Sequence, residues 1–310
     1  MKQEPLKGEM MSEKMISASA PAKIIIFGEH FVVYGAHALA AAIDRYITVT
    51  ASHNTSDEFF VYGRLVRADH IFNAIDRITK GRHVKLIARS QVPNGAGLGS
   101  SAALSLASTI AVSKLFNIKP DPSLLFEVSM NAEKYIHGNP SGVDVATSLY
   151  GGFVLFKKDE LIKVSSPIIK FLIVDSRQRR KTGNLVSKVK KFMDRNPELF
   201  NSLVNLADLM AKEGAAAISE EKIEQVASYM NVSQSFLELI GASTPKIDTI
   251  ISSLKGKVLG AKITGAGGGG CIIAIPMTGS MPKIGYTVNA GVVGAYQLNY
   301  GIPISWHFDG

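Results

Sequence analysis

Glu29, Glu133 and Asp144, one lysine at the head of an apolar run (Lys23), one histidine (His30) and an adjacent serine pair (Ser100, Ser101) all stand beside glycine-rich turns. These residue types polarise alcohols and hold phosphate. The densest segment is PNGAGLGSSAALSLA at 93–107, where glycines feed into an Ala- and Leu-rich helical pattern. Free N–H groups and the positive dipole end of such a helix attract anions, and glycine lets backbone approach them closely. Pro93, Asn94, Gly95, Ala96, Gly97, Leu98, Gly99, Ser100, Ser101, Ala102 and Ala103 are therefore a candidate phosphate cradle. No Gly-Lys-Ser/Thr follows the glycines and no acidic ribose partner frames them, so the segment is neither a Walker loop nor a dinucleotide fingerprint. A tight structural turn is its ordinary alternative.

Glu133–Gly152 (EKYIHGNPSGVDVATSLYGG) puts one carboxylate near the end of a helix and another in the first turn of the next. Two such acids can divide labour: one holds Mg²⁺ through oxygen, the other accepts a proton from an alcohol. The plain readings are a solvated helix residue for Glu133 and a favourable helix-dipole charge for Asp144. In PAKIIIFGEHFVVYGAHALA (21–40), Lys23 leads an apolar strand, where a lysine is usually at the surface, and Glu29 and His30 occupy the turn after it. AKITGAGGGGCIIAI (261–275) is a glycine loop between two strand patterns.

The elements that must position these residues follow from periodicity. Ile24–Phe27 and Ile47–Val49 read as strands, Val66–Thr79 and Ser100–Leu115 as helices, and Leu124–Ile136 as a helix stopped at Gly138. Another short helix starts near Ser141. Phe153–Phe156 and Ile168–Val174 read as strands, with a polar, Pro-containing stretch between them at 157–168. Gly183–Met193, Pro197–Met210, Glu221–Ile240 and Pro245–Leu254 have helical period, Val258–Ile263 is a strand, and the last forty residues return to strand-like alternation. The expectation is a mixed α/β (α+β) chain with a tail at 1–14, an N-terminal domain at 15–162 and a C-terminal domain at 163–310.

Across 310 residues, 46% hydrophobic content is enough for a sizeable core. The single cysteine, Cys271, opens an apolar run and reads as a small core residue; it excludes an intrachain disulfide and suits a reducing, cytoplasmic setting. No apolar stretch reaches the ~20 residues of a membrane span. The +8 net charge permits acidic partners, yet the basic runs RQRRK (177–181) and KVKK (188–191) lack interleaved aromatics or a zinc spacing. They read as a solvated face or a funnel for anionic substrates, so nucleic acid is not the expected partner.

Taken together, PAKIIIFGEH, PNGAGLGSSAA and KITGAGGGG, in that order, resemble the GHMP kinase superfamily, named for galactokinase, homoserine kinase, mevalonate kinase and phosphomevalonate kinase. GEHFVVYGAHALA and IHGNPSGVDVATSLYGG look like its mevalonate kinase branch rather than galactokinase. Pro-Ala-Lys for the commoner Pro-Gly-Lys, and Asn94 at a position usually apolar or small, are departures that remove no catalytic group.

The resemblance implies a ribosomal-protein-like N-terminal domain, a ferredoxin-like C-terminal domain and an active site between them. It implies ATP and Mg²⁺, and transfer of phosphate to the C5 hydroxyl of (R)-mevalonate. Another GHMP small-molecule kinase, or a silent sensor on the same fold, is the alternative. By resemblance, Asp144 is the general base and Lys23 its neighbour, while Ser101 and Glu133 hold Mg²⁺. Residues 94–103 cradle ATP, and the loop Gly265–Gly270, including Gly267, closes over the same site. Glu29, His30, Arg179 and Thr182 are implied on the substrate side, and a homodimer is admitted.

Overall fold

The computed structural model describes residues 14–93, 95–158, 160–178, 182–279 and 282–303. Of the expected tail only Lys14 is among them; its Nζ donates to Asn117 Oδ1 at 3.1 Å.

An 11-stranded sheet runs through both halves of the chain, and the long strand β2 (Ala38–His53) is its spine. β1 (Ile16–Phe27) lies antiparallel along one edge of β2, with a register shift at Pro21, where the missing N–H is tolerated. On the other edge β2 pairs in succession with β6 (Phe153–Lys157), β11 (Tyr286–Ala290) and β5 (Val84–Ser90). β11 also pairs with β8 (Ile169–Asp175), which leads through β10 (Cys271–Pro276) to β9 (Val258–Ile263). Through β11 the C-terminal strands continue the N-terminal sheet.

Helix α2 (Ser100–Leu115) packs on β1 and β2 and between α3 (Pro122–His137) and α4 (Val143–Tyr150). It is buried on almost every side, which its run of Ala, Leu and Ser permits. Asp121 caps α3 by accepting from Leu124 N at 2.7 Å, with Pro122 in the first turn. α1 (Asp69–Thr79) covers α3; α5 (Thr182–Arg195), α6 (Pro197–Ser219), α7 (Ile223–Leu239) and α8 (Pro245–Leu254) belong to the second half.

Several expectations shift. α1 begins at Asp69 rather than Val66, and α6 continues past Met210 to Ser219. The polar stretch after Phe156 holds a strand, β7 (Glu160–Val164), paired with β6. The short strands β3 (Glu58–Val61) and β4 (Arg64–Leu65) were not expected, and the C-terminal strand pattern ends in the six-residue helix α9 (Ala295–Tyr300). Cys271 is buried and free, as its apolar run suggested.

Candidate active site

The glycine segment before α2 is built for close approach. Gly95, Gly97 and Gly99 all have positive φ, and Gly99 caps α2 from a left-handed conformation, with no side chain bonded to the first turn. The N–H groups that open α2 at Ser100, Ser101 and Ala102 thus point toward the site, as a phosphate requires. Leu98, Ala102 and Ala103 are core side chains, so they can offer a ligand backbone only, and the Ala103 N–H is already donated to the Gly99 carbonyl at 3.1 Å. Asn94 lies outside the described residues.

Lys23 is threaded beneath this loop. Its N–H donates to the Leu98 carbonyl at 2.9 Å, and its Nζ sits 3.4 Å from the Gly97 carbonyl. The aliphatic stem lies against Gly99: a Cβ there would fall 2.8 Å from Lys23 Cγ. The lysine is therefore no surface residue, being 1% exposed within β1. Its Nζ meets Asp144 Oδ1 at 2.8 Å. Asp144 stands in the first turn of α4, one turn before Ser148, whose hydroxyl donates to the Pro21 carbonyl at 2.6 Å and fixes the helix against β1. Asp144 keeps about a third of its side chain open, so the pair has one buried end and one accessible end.

Glu133, on the last turns of α3, completes the cluster. Burial raises its carboxyl above the usual range; a hydrogen bond with Ser101 opposes this, the Asp144 charge adds to it, and His137 and Lys23 oppose it. Ser101, Glu133 and Asp144 thus come together from α2, α3 and α4. Glu133 Oε1 is buried without a hydrogen-bond partner among the described residues, while His137 Nε2 lies 3.7 Å from Oε2. A carboxylate oxygen without a partner beside a serine hydroxyl is a donor set that fits Mg²⁺, a hard cation that takes oxygen ligands and leaves the rest of its shell to phosphates and water. No group of three or more His, Cys, Asp or Glu side chains suited to a metal occurs among the described residues.

The third glycine segment reaches this centre through backbone. Cys271 N donates to the Ala96 carbonyl at 2.9 Å, locking the loop before β10 to the glycine loop before α2. Gly267, with φ of +75°, passes so near the Ala242 carbonyl that a Cβ would lie 2.4 Å from it. Thr264 Oγ1 accepts from Ile25 N at 2.8 Å, and His30 Nε2 donates to the Ala266 carbonyl at 2.7 Å. His30, at a positive φ of 64°, thereby ties the turn after β1 to the glycine loop.

Glu29 occupies a different place from its neighbour. Its side chain is 1% exposed and its Oε1 accepts from Lys262 on β9, so as folded the carboxylate is turned to Lys262 inside the protein rather than to open space. Sequence reasoning passed over Lys262, reading its segment for glycines; the signal was a lysine flanked by Ala261 and Ile263 in an apolar strand, the same signature as Lys23. Thr182 begins α5, but its side chain and all of Arg179 lie outside the described residues. No described helix is long and apolar enough to cross a membrane.

Residues 65–152 match the GHMP kinases N terminal domain and residues 211–280 the GHMP kinases C terminal domain. Among curated relatives, the mevalonate kinase of Archaeoglobus fulgidus is 36% identical over 281 residues, covering 87% of this chain and 95% of that protein. Among solved structures, Methanococcus jannaschii mevalonate kinase superposes with a TM-score of 0.73 at 28% identity, over 86% of this chain and 92% of that one. The L. major mevalonate kinase in complex with R-mevalonate gives 0.78 at 21% identity, over 92% and 99%, a likeness of fold. With its three glycine-rich segments in one constellation and these matches over most of its length, the chain belongs to the GHMP kinases.

Proposed function

We propose that this protein transfers the γ-phosphate of ATP to the C5 hydroxyl of (R)-mevalonate, giving 5-phosphomevalonate and ADP. The observation that carries the reading is the Lys23–Asp144 pair at 2.8 Å, set below a glycine-rich helix N-terminus. Its support for mevalonate over other alcohols is the 30–36% identity to archaeal proteins named mevalonate kinase.

The scheme assigns each step to a group. Free backbone N–H groups of the loop before α2 and of its first turn, Ser100–Ala102, hold the phosphates of ATP, and Glu133 with Ser101 would hold Mg²⁺, which would neutralise charge on the phosphates. Asp144 takes the hydroxyl proton as the substrate oxygen bonds to the γ-phosphorus. The bond from that phosphorus to the β,γ-bridging oxygen breaks, and the electron pair leaves with ADP. Lys23 stabilises the negative charge that develops on the attacking oxygen. His30, and Arg179 with Thr182, orient the carboxylate end of the substrate. The loop 265–270, Gly267 included, covers the nucleotide.

ADP release measured over a panel of small alcohols with Mg²⁺ tests this. Turnover that depends on mevalonate, with phosphate found on O5, is expected; a panel in which mevalonate gives no turnover would refute the substrate.

A further inference from the structure

β1, the strand that carries Lys23, pairs along one edge with β2, and its other edge is met by α9, α4, the loop before α2 and the third glycine segment. Ser19 N donates to Asn299 Oδ1 at 3.2 Å, and Asn299 Nδ2 donates back to the Ser19 carbonyl at 2.6 Å. The Pro21 carbonyl accepts from Ser148 Oγ at 2.6 Å, Lys23 N donates to the Leu98 carbonyl at 2.9 Å, and Ile25 N donates to Thr264 Oγ1 at 2.8 Å. Residues 19, 21, 23 and 25 alternate, as groups on one edge of a strand do. An edge that would otherwise lie open is closed here by side chains and loop backbone rather than by another strand.

Within that row the Ser148 position is shaped by a proline. Pro21 has no N–H, so its carbonyl is the one backbone group it presents, and a hydroxyl donor satisfies it. A serine or threonine inside a helix commonly donates back to the carbonyl four residues earlier. Thr147 does so, to Val143 at 2.7 Å, and Ser108, Thr109 and Ser113 of α2 do the same. Ser148, fully buried, leaves its own helix and bonds to β1 instead.

That bond stands one turn from Asp144 on α4 and two residues from Lys23 on β1, so it joins the two elements that hold the pair. Val145, Ala146 and Leu149 bury α4 in the core, but apolar packing is non-directional and does not fix where along β1 the helix stands. The backbone ties of Gly151 and Gly152 to residues 292–293 lie beyond the C-terminal end of α4, away from Asp144.

We propose that Ser148 is a positioning residue for phosphoryl transfer: its hydrogen bond to Pro21 sets α4 on β1 so that Asp144 stands opposite Lys23. This rests on the roles given above to Asp144 and Lys23. Without the bond α4 stays packed but Asp144 shifts against the lysine, so the loss falls on the chemical step rather than on binding of either substrate. Misplacement by 1 Å costs on the order of 10²-fold, and a smaller shift about tenfold.

The test compares S148A, T147V, D144N and S148A/D144N in the full chain, reading thermal unfolding, kcat, and KM for ATP and mevalonate. T147V removes a buried hydroxyl from the same helix with its shape kept, so it controls for stability alone. Expected for S148A are a folded protein, kcat about tenfold lower and KM values within about threefold of the parent, while T147V keeps kcat within about twofold. In the D144N background S148A should lower kcat by less than about twofold further, because a shifted residue 144 no longer matters once it cannot take the proton. The proposal is overturned by a folded S148A with kcat within about twofold of the parent, by a T147V loss equal to that of S148A, by a change confined to KM, or by losses of S148A and D144N that multiply. Should S148A not fold, S148C, which fills the site with a weaker donor, decides by the same kcat and KM criteria. Failure of the parent protein to turn over mevalonate would instead refute the proposed function, so the two failures are distinct.

Discussion

Replacing Gly99 by alanine puts the Lys23–Asp144 geometry under direct stress. Gly99 sits at φ +71°, and a Cβ built there lies 2.8 Å from Lys23 Cγ and 2.9 Å from Cε. The left-handed backbone alone costs an L-residue about 1–2 kcal/mol. The clash adds a displacement, because the Lys23 stem that the new Cβ meets is enclosed within the protein, at 1% exposure, rather than lying at the surface. A shift of a few tenths of an ångström is enough to relieve a contact of that length, and it must be taken by the atoms between Cγ and Nζ. Nζ is held 2.8 Å from Asp144, so it leaves its position. Misplacement on the scale of 1 Å costs on the order of 10²-fold in rate.

G99A should therefore lower kcat by about 10- to 100-fold while lowering the melting temperature by only a few degrees, at roughly 2–4 °C per kcal/mol. Gly63 supplies the reference. It also has positive φ, at +78°, but a Cβ there meets nothing within 4 Å, so G63A carries the backbone strain without the displacement. Steady-state kinetics beside thermal unfolding of both variants separates the terms. If G99A and G63A lose similar stability and G99A keeps kcat within about threefold of the parent, then Lys23 is not held by Gly99 and the reasoning fails.

Asp144→Asn should cut kcat by about 10²-fold or more while nucleotide affinity, read by fluorescence titration, stays within about threefold; full activity would dismiss the base assignment. Glu133→Gln should raise the Mg²⁺ concentration for half-maximal rate by about tenfold or more at saturating ATP, and an unchanged Mg²⁺ curve would remove Glu133 from the metal. Asp208 on α6 accepts from the His37 backbone N–H at 2.8 Å and from Nδ1 at 2.6 Å, and pairs with Lys212 at 2.9 Å. Partial burial would raise its carboxyl, but hydrogen bonds from Lys212 and His37 outweigh that and hold it well below the ordinary 3.8. A depressed carboxylate stabilises the fold above its unfolded value and loses that contribution as pH falls toward its folded one. Asp208→Asn should thus lower the melting temperature by a few degrees at pH 7, and the gap should narrow steadily below about pH 4. A gap that stays constant from pH 7 to pH 3 contradicts the assignment.

The parts of the site that lie close in sequence were legible there, because local physics makes them. Positive-φ glycines ahead of an Ala-rich helix write their own signature at 95–103, and so does the pair of helices that carries Glu133 and Asp144 across a Gly-Asn-Pro turn. The strands β3, β4 and β7 escaped because they are five residues or fewer and bury little: Phe59 in β3 is the one buried side chain among them, and β7 reads intermediate or exposed along its length. α9 escaped because six residues leave little periodicity to detect.

What periodicity could not deliver is the partnership of distant charges. Lys23 and Asp144 are 121 positions apart, and nothing local says that a lysine within IIIF-flanked strand sequence is buried rather than snorkelling to solvent. Only closure of β1 under the α2 loop decides it. The same holds for Lys262, whose strand neighbours are all apolar, and there the alternative is harsher. A lysine with no exposed surface at all must have a carboxylate within reach, since otherwise it would give up its proton. Two buried lysines in strands are each answered by an acid remote in sequence, Asp144 for Lys23 and Glu29 for Lys262, although apolar residues would fill the same volume at less cost.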